Sequence, residues 1–303
     1  MRAFFEAMFF SPKWYHYPVI LLLLPFSLIY GLGMWLHRSI TKRKSFGIPI
    51  VSVGNLIVGG SGKTPFVIAV ASGYTDVTVI SRGYGRQSRG VVEVSRQGEI
   101  LVDVEQSGDE AMLMATALSH ASVIVSEDRP LAIEKAMKQG AKLIILDDGF
   151  NRMEIEKFEI LLEPGKIRNP FPFPAGPFRE FFSQRKHADC IAKEGKEFLR
   201  QVEIADATEK MLLVTAISNP ARLDSYLPKD VVGKVYLEDH AYFDLSTLQR
   251  LLKEYQASSI LCTSKDRVKM EGFKLPISEM KLKLEIKNEI VTQIDEYIKG
   301  YRP

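Results

Sequence analysis

Ile48-Pro49-Ile50-Val51-Ser52-Val53-Gly54-Asn55-Leu56-Ile57-Val58-Gly59-Gly60-Ser61-Gly62-Lys63-Thr64-Pro65 is the stretch whose reading decides the fold. Its β-branched run reads as a buried strand that ends in glycines able to take positive φ, and Gly62-Lys63-Thr64 then opens an apolar helical segment, Phe66 to Ala71. The backbone N–H groups of such a loop, with the helix N-terminus behind it, cradle a polyphosphate. In that context Lys63 reaches the β- and γ-phosphates and the Thr64 hydroxyl sits on Mg²⁺. The strict spacing wants a glycine five residues before Gly62, where this chain has Ile57; Gly59 and Gly60 supply the flexibility instead.

Upstream of the loop the chain reads as a membrane segment. Pro18 to Leu36 is nineteen residues without a charge, preceded by Trp14, Tyr15 and Tyr17 and followed by Arg38, Lys42, Arg43 and Lys44. As a helix it is about 28 Å long, the thickness of a hydrocarbon core. Aromatic residues on one side and basic ones on the other orient its C-terminal end toward the cytoplasm. It lies too far from the N-terminus, and lacks the small-residue cleavage site, for a signal peptide, and its flanks argue against the remaining alternative, a buried core helix. Pro25 and the glycines leave open whether it spans the bilayer or inserts in one leaflet.

Downstream, strand and helix signals alternate. Asp76 to Ser81 is a β-branched run ending in Arg82-Gly83-Tyr84-Gly85-Arg86, a loop suited to an anionic ligand or equally to solvent. Gly90 to Val104 reads as a hairpin around Arg96 to Glu99. Ser107-Gly108-Asp109-Glu110 opens a helix, where two carboxylates compensate the dipole. Ser122 to Ser126 is a further strand, followed by a helix to Gln139. Lys142 to Leu146 runs straight into Asp147-Asp148-Gly149-Phe150, and aspartate ending an apolar strand downstream of a phosphate loop is what a Mg²⁺-coordinating partner strand looks like. Asn169 to Glu180 is a proline-rich, rigid loop. From about Met211 a smaller α/β pattern restarts, and within it Asp239-His240 places the only loop histidine beside a carboxylate.

Composition bounds the alternatives. A chain of 303 residues with 46% hydrophobic and 25% charged residues is folded and holds one large or two ordinary domains. A net charge of +3 is too weak to imply nucleic acid. Two distant cysteines, Cys190 and Cys262, form neither a disulfide framework nor a zinc pattern, which fits a reducing compartment.

Taken in order, Val53-Gly54-Asn55, Gly59 to Pro65, Ser81 to Arg86, Gly108-Asp109-Glu110, Asp147 to Phe150, Pro174 to Glu180 and Asp239-His240 closely resemble the motif series of the tetraacyldisaccharide 4'-kinases. The resemblance covers nearly the whole chain, its hydrophobic N-terminus included. It implies an α/β fold: a P-loop NTPase-like α/β/α core with a mainly parallel sheet, a smaller C-terminal α/β domain and an N-terminal membrane helix. The expected bounds are 1–45, 46–214 and 215–303. It further implies ATP and Mg²⁺, and transfer of the γ-phosphate to the 4'-hydroxyl of a tetraacylated glucosamine disaccharide 1-phosphate, giving lipid IVA in lipid A synthesis. The expected place is the cytoplasmic leaflet of the inner membrane of a Gram-negative bacterium, with no nucleic acid and no obligatory protein partner.

Carried over by residue, Asn55, Gly59, Gly60, Ser61, Gly62, Lys63 and Thr64 hold the nucleotide, with Tyr84, Arg129 and Arg179 lining it. Thr64, Asp147 and Glu180 face the metal, and Asp148 assists at metal or substrate. Asp109 is the base at the sugar hydroxyl, working with His240 from the second domain, which implies closure around bound ATP. The chain departs from the family pattern at Asn151-Arg152, where Gln-His is usual, and at Thr263-Ser264-Lys265-Asp266, where Thr-Glu-Lys-Asp is common. The segment from His187 to Leu212 is also shorter than usual. The competing reading is a membrane-attached P-loop ATPase switch acting through a protein partner. It needs only the phosphate loop, Asp147 and the anchor, and leaves Asp109, His240 and the proline loop without a role.

Overall fold

The computed structural model describes residues 2–59, 62–163, 165 and 167–302; Gly60 and Ser61 of the phosphate loop lie outside the described residues. Two N-terminal helices, α1 (Arg2–Phe10) and α2 (Tyr17–Ile40), precede strand β1 (Ile50–Gly54) and helix α3 (Lys63–Ala71). Next come β2 (Val77–Ser81), β3 (Val92–Arg96), β4 (Glu99–Ile100), α4 (Val104–Ser107), α5 (Asp109–Ala117), β5 (Ser122–Val125) and α6 (Arg129–Lys138). Strands β6 (Leu143–Asp147), β7 (Phe158–Glu163) and β8 (Cys190–Lys193) follow. The remainder is β9 (Phe198–Ala205), β10 (Met211–Thr215), β11 (Val231–Tyr236), α7 (Leu245–Glu254), β12 (Ser259–Thr263), α8 (Ser264–Arg267), β13 (Ile277–Ile286) and α9 (Asn288–Gly300).

Contacts divide the chain into two compact units: Met1–Val67, Lys142–Leu199 and Ile286–Pro303 form one, Ile68–Ala141 and Arg200–Glu285 the other. In the first, four parallel strands run in the order β6-β1-β7-β8, with Val53 opposite Asp147 and Ile160. Strand β1 is buried along its whole length, as its unbroken apolar run requires of a central parallel strand.

Helix α2 packs one stripe onto this unit. Ile20, Ser27 and Gly31 are buried, and the Ser27 hydroxyl donates to the Pro172 carbonyl at 2.5 Å. The spacing is that of a single helix face, and the opposite side leaves Leu21, Leu22, Phe26, Ile29 and Leu32 exposed. Among the described residues, Trp14–Ile40 is the one stretch long and apolar enough to cross a membrane.

In the second unit β2 pairs parallel with β5, β3 runs antiparallel to β5, and β4 closes the expected hairpin on β3. A separate five-stranded sheet has the order β11-β10-β12-β13-β9. Alternation along β10 sends Leu212 and Val214 into a core with Phe243, Ile260 and Met270, and Met211 and Leu213 into another with Leu223 and Met280.

Candidate active site

The phosphate loop leaves β1 at Gly54, where a Cβ would lie 2.5 Å from the Phe150 Cβ and 2.9 Å from its backbone nitrogen. Only glycine admits that approach of the two loops. Instead of curling at once, the chain then runs extended. Ile57 forms an antiparallel bridge to Phe178, the Val58 N–H donates to the Pro177 carbonyl at 2.9 Å, and the Arg179 N–H donates to the Leu56 carbonyl at 2.7 Å. The departure from the strict spacing at Ile57 therefore has a structural cause: Leu56 to Val58 pair with the proline-rich loop before the chain turns. Leu56, Ile57, Phe150 and Phe178 share one buried cluster. Gly59 and Gly62 both take positive φ, as expected of the turning residues.

Around this loop the first unit links four predicted side chains to one another, Asn55, Lys63, Asp148 and Arg179. Lys63, the first residue of α3, donates from Nζ to Asn55 Oδ1 at 3.2 Å and lies 3.5 Å from Asp148 Oδ1. Arg179 grips both oxygens of Asp148, at 3.0 and 2.9 Å. Burial alone raises the Asp148 pKa, but the charges of Lys63 and Arg179 outweigh it and the carboxyl lies below its usual range. Asp148 holds a left-handed φ of 56°, a conformation aspartate tolerates better than most residues. Asn55 is fully buried, and its Nδ2 has no hydrogen-bond partner among the described residues. Asp147, at the end of β6, and Thr64, on the first turn of α3, are both buried.

Glu180, expected at a metal, is fully buried with both oxygens committed to Arg38 of α2, at 2.8 and 2.7 Å. The same guanidinium donates to the Phe150 carbonyl at 3.1 Å and stacks 4.5 Å over the Phe150 ring. The basic cluster after the apolar helix is thus not uniform: Arg38 points into the protein rather than toward head groups. Beside it, Lys157 and Glu159 form a buried ion pair at 2.8 Å, in which burial pushes the lysine pKa down and the glutamate pKa up.

The second unit holds the other group of predicted residues. Asp109, the first residue of α5, is buried, and its Oδ2 lies 3.0 Å from His240 Nδ1. Burial raises the Asp109 pKa, but the hydrogen bond with His240 and the charges of Lys269 and Lys265 overcome it, so the carboxyl lies below its ordinary value. His240 sits at a left-handed φ of 64° and is tied to the end of β10 by its N–H, which donates to the Ala216 carbonyl at 3.0 Å. Tyr84 is largely exposed, with its ring centroid 5.4 Å from that of His240. Arg129 is buried at the start of α6, where its Nη1 donates to the Ser126 carbonyl.

The sequence profile of the family described as tetraacyldisaccharide-1-P 4'-kinase matches residues 19–299. This chain belongs to that family. Curated tetraacyldisaccharide 4'-kinases align along almost their whole length. That of Helicobacter pylori strain J99 is 47% identical over 302 residues, 99% of this chain and 96% of the relative. That of Aliarcobacter butzleri is 41% identical over 312 residues, 100% and 99% respectively. In fold, the chain is similar to the crystal structure of "apo"-form LpxK from Aquifex aeolicus in complex with ATP. The TM-score is 0.79 with 26% identity, covering 92% of this chain and 99% of that one. The α/β architecture of the tetraacyldisaccharide 4'-kinase family, with mainly parallel sheets and an apolar N-terminal helix, is thus the architecture found here, and the chain is a kinase.

Sequence reading missed Arg38, which it counted among the basic flank, and Lys269 and Asp266. Lys269 Nζ lies 3.3 Å from Asp109 Oδ2. Asp266 accepts from the hydroxyls of Thr215 and Thr263 at 2.6 and 2.7 Å and from the Ala216 N–H at 3.1 Å. One local signal was available: Thr263-Ser264-Lys265-Asp266 follows an apolar strand with the spacing of a helix N-cap, and the Thr263 hydroxyl does accept from the Asp266 N–H at 3.3 Å.

Proposed function

We propose that this kinase transfers the γ-phosphate of ATP to the 4'-hydroxyl of a tetraacylated glucosamine disaccharide 1-phosphate, yielding lipid IVA and ADP. In this reading the hydroxyl oxygen bonds to the γ-phosphorus, the bond from that phosphorus to the β–γ bridging oxygen breaks, and the hydroxyl proton passes to Asp109. The observation that carries the proposal is the Asp109–His240 pair at 3.0 Å. A phosphate loop and a strand-end aspartate suffice for an ATPase switch, whereas a buried carboxylate held by a histidine is the equipment of acceptor activation.

Lys63, Arg179 and the loop amides take the role of neutralising charge on the transferred phosphoryl group, in which positioning and electrostatics supply most of the rate. The unpartnered Asn55 Nδ2 beside Lys63 fits an oxygen-rich ligand there. For Mg²⁺, the Thr64 hydroxyl and the Asp147 carboxylate form a hard, oxygen-only donor set that fits the ion once substrate phosphates complete it. Among the described residues no cluster of three or more His, Cys, Asp or Glu forms a cage by itself. When bound, the ion screens charge between the β- and γ-phosphates. In this geometry Glu180 reads as the fastener of α2 rather than as a metal ligand, because Arg38 occupies both of its oxygens.

The exposed apolar side of α2 supports docking at a membrane, where the four acyl chains of the acceptor reside, and the proposed place is the cytoplasmic face of the inner membrane. Residues 1–45, 46–214 and 215–303 are proposed as anchor, nucleotide core and smaller domain.

Transfer of labelled phosphate from ATP to the purified lipid disaccharide tests the reading. Asp109→Ala and His240→Ala are expected to lose about 10²–10⁴ in turnover while ATP affinity stays within about twofold. Near-normal transfer by both variants refutes the base assignment. ATP hydrolysis in detergent that ignores added lipid favours the switch.

A further inference from the structure

The Asp109–His240 pair has a third member with no role in the chemistry described so far. Lys269, in the turn Val268–Met270, has a fully buried side chain whose Nζ lies 3.3 Å from Asp109 Oδ2 and 3.9 Å from Asp266 Oδ1. It donates to the Ala241 carbonyl at 2.9 Å and sits 5.1 Å over the Phe243 ring. Burying an ammonium is costly, and a methionine would fill the same space without that penalty.

Asp266 does not explain the lysine. Two hydroxyls and a backbone N–H already serve that carboxylate. Asp109, by contrast, has His240 as its one hydrogen-bonding side chain among the described residues, and the charges of Lys269 and Lys265 compensate it further. Both His240 Nδ1 and Lys269 Nζ approach the same oxygen, Oδ2. Asp266 in turn orders both arms: through Ala216 it fixes the carbonyl that holds the His240 N–H, and it flanks Lys269 directly.

We infer that Lys269 is a positioning residue for the phosphoryl-transfer base: it pins Oδ2 of Asp109 and holds that carboxylate ionised and aimed before the acceptor arrives. The inference rests on the reading of Asp109 as the base. Among the described residues, His240 and Lys265 also act on Asp109, and Tyr242 feels its charge. Around these, Asp239 pairs with His240, Glu110 with Lys265 and Asp266 with Lys269, and the Tyr84 ring packs on His240. Of these, His240 and Lys265 are joined by Lys269 in favouring the ionised form.

The test uses the full-length enzyme in detergent, with ATP and the lipid disaccharide, and reads the pH profile of kcat/KM for the acceptor. Removing the ammonium raises the pKa of Asp109, so in Lys269→Met the acidic limb is expected to move to higher pH. Turnover is expected to fall at least about tenfold at neutral pH while the KM for ATP stays within about twofold, and Lys269→Arg is expected to restore the limb. A limb that does not move in Lys269→Met overturns the inference, even if activity falls.

Because Lys269→Met alone leaves buried carboxylates short of charge, the cycle with Asp109→Asn covers the case of poor folding. The double variant is charge-balanced, and in the Asp109→Asn background Lys269→Met is expected to change residual turnover less than about threefold. Multiplying losses in that cycle refute the assignment. A fully active Asp109→Asn enzyme instead refutes the base reading itself, which separates the two failures.

Discussion

Replacing Arg38 by methionine removes a guanidinium from a glutamate that has no access to solvent. Two charge-assisted hydrogen bonds, at 2.8 and 2.7 Å, disappear together with the 3.1 Å bond to the Phe150 carbonyl and the stacking on its ring. Breaking one side of a buried ion pair costs about 3–5 kcal/mol, most of it the penalty of an uncompensated charge. For 303 residues the unfolding entropy is about 0.6 kcal/mol per kelvin, so the transition is expected to fall by about 5–8 °C. The assay is thermal unfolding of the detergent-solubilised protein followed by intrinsic fluorescence. Arg38→Met/Glu180→Leu, which removes both charges, is expected to recover most of the loss. A single variant within about 1 °C of wild type, or a double variant no better than the single, refutes the account of α2 as fastened through this pair.

Two further outcomes follow from the geometry. Gly54→Ala drives a Cβ into the Phe150 backbone and side chain, at 2.5–2.9 Å, and is expected to cost about 1–3 kcal/mol and to weaken ATP binding by displacing the Asp148 loop, read by urea unfolding and by nucleotide titration. Asp109 has a folded-state pKa depressed below 3.8, so its contribution to stability is complete above that value and is lost as pH falls through the depressed one. Asp109→Asn is therefore expected to flatten the decline of stability on acidification below about pH 4 in urea melts at successive pH values.

What could be read in the chain was what local pattern controls. The β1 to α3 passage and β6 running into Asp147 fall within a residue or two of their expected places, because unbroken apolar runs bounded by glycine or aspartate leave little choice. The hairpin of β3 and β4 lies inside the expected Gly90 to Val104 but ends at Ile100, and Val104 opens α4 instead. Strands β9 and β13 escaped notice. Ile277–Ile286 alternates lysine and glutamate with apolar residues, a period of two that marks a half-buried strand, so the signal of β13 was present in the sequence. At the site, residues carrying motifs were legible, and their non-local partners were not. Arg38 looks like any basic flank of an apolar helix until Glu180, 142 residues away, supplies a partner. Lys269 is one lysine among many until the fold brings it to Asp109, 160 positions upstream by number. His240 stood out only because Asp239 precedes it, whereas its hydrogen-bond partner is Asp109.

The short antiparallel pairing of Leu56–Val58 with Pro177–Arg179 acts as a ruler for the phosphate loop. On the Pro177–Arg179 side, neighbouring side chains diverge: Phe178 enters the apolar cluster with Leu56 and Ile57, while Arg179 grips Asp148. A slip of that segment by one residue is expected to exchange the two and turn the guanidinium away from Asp148. A single-residue insertion beside Phe178 is therefore expected to loosen Asp148 without replacing any side chain that touches it.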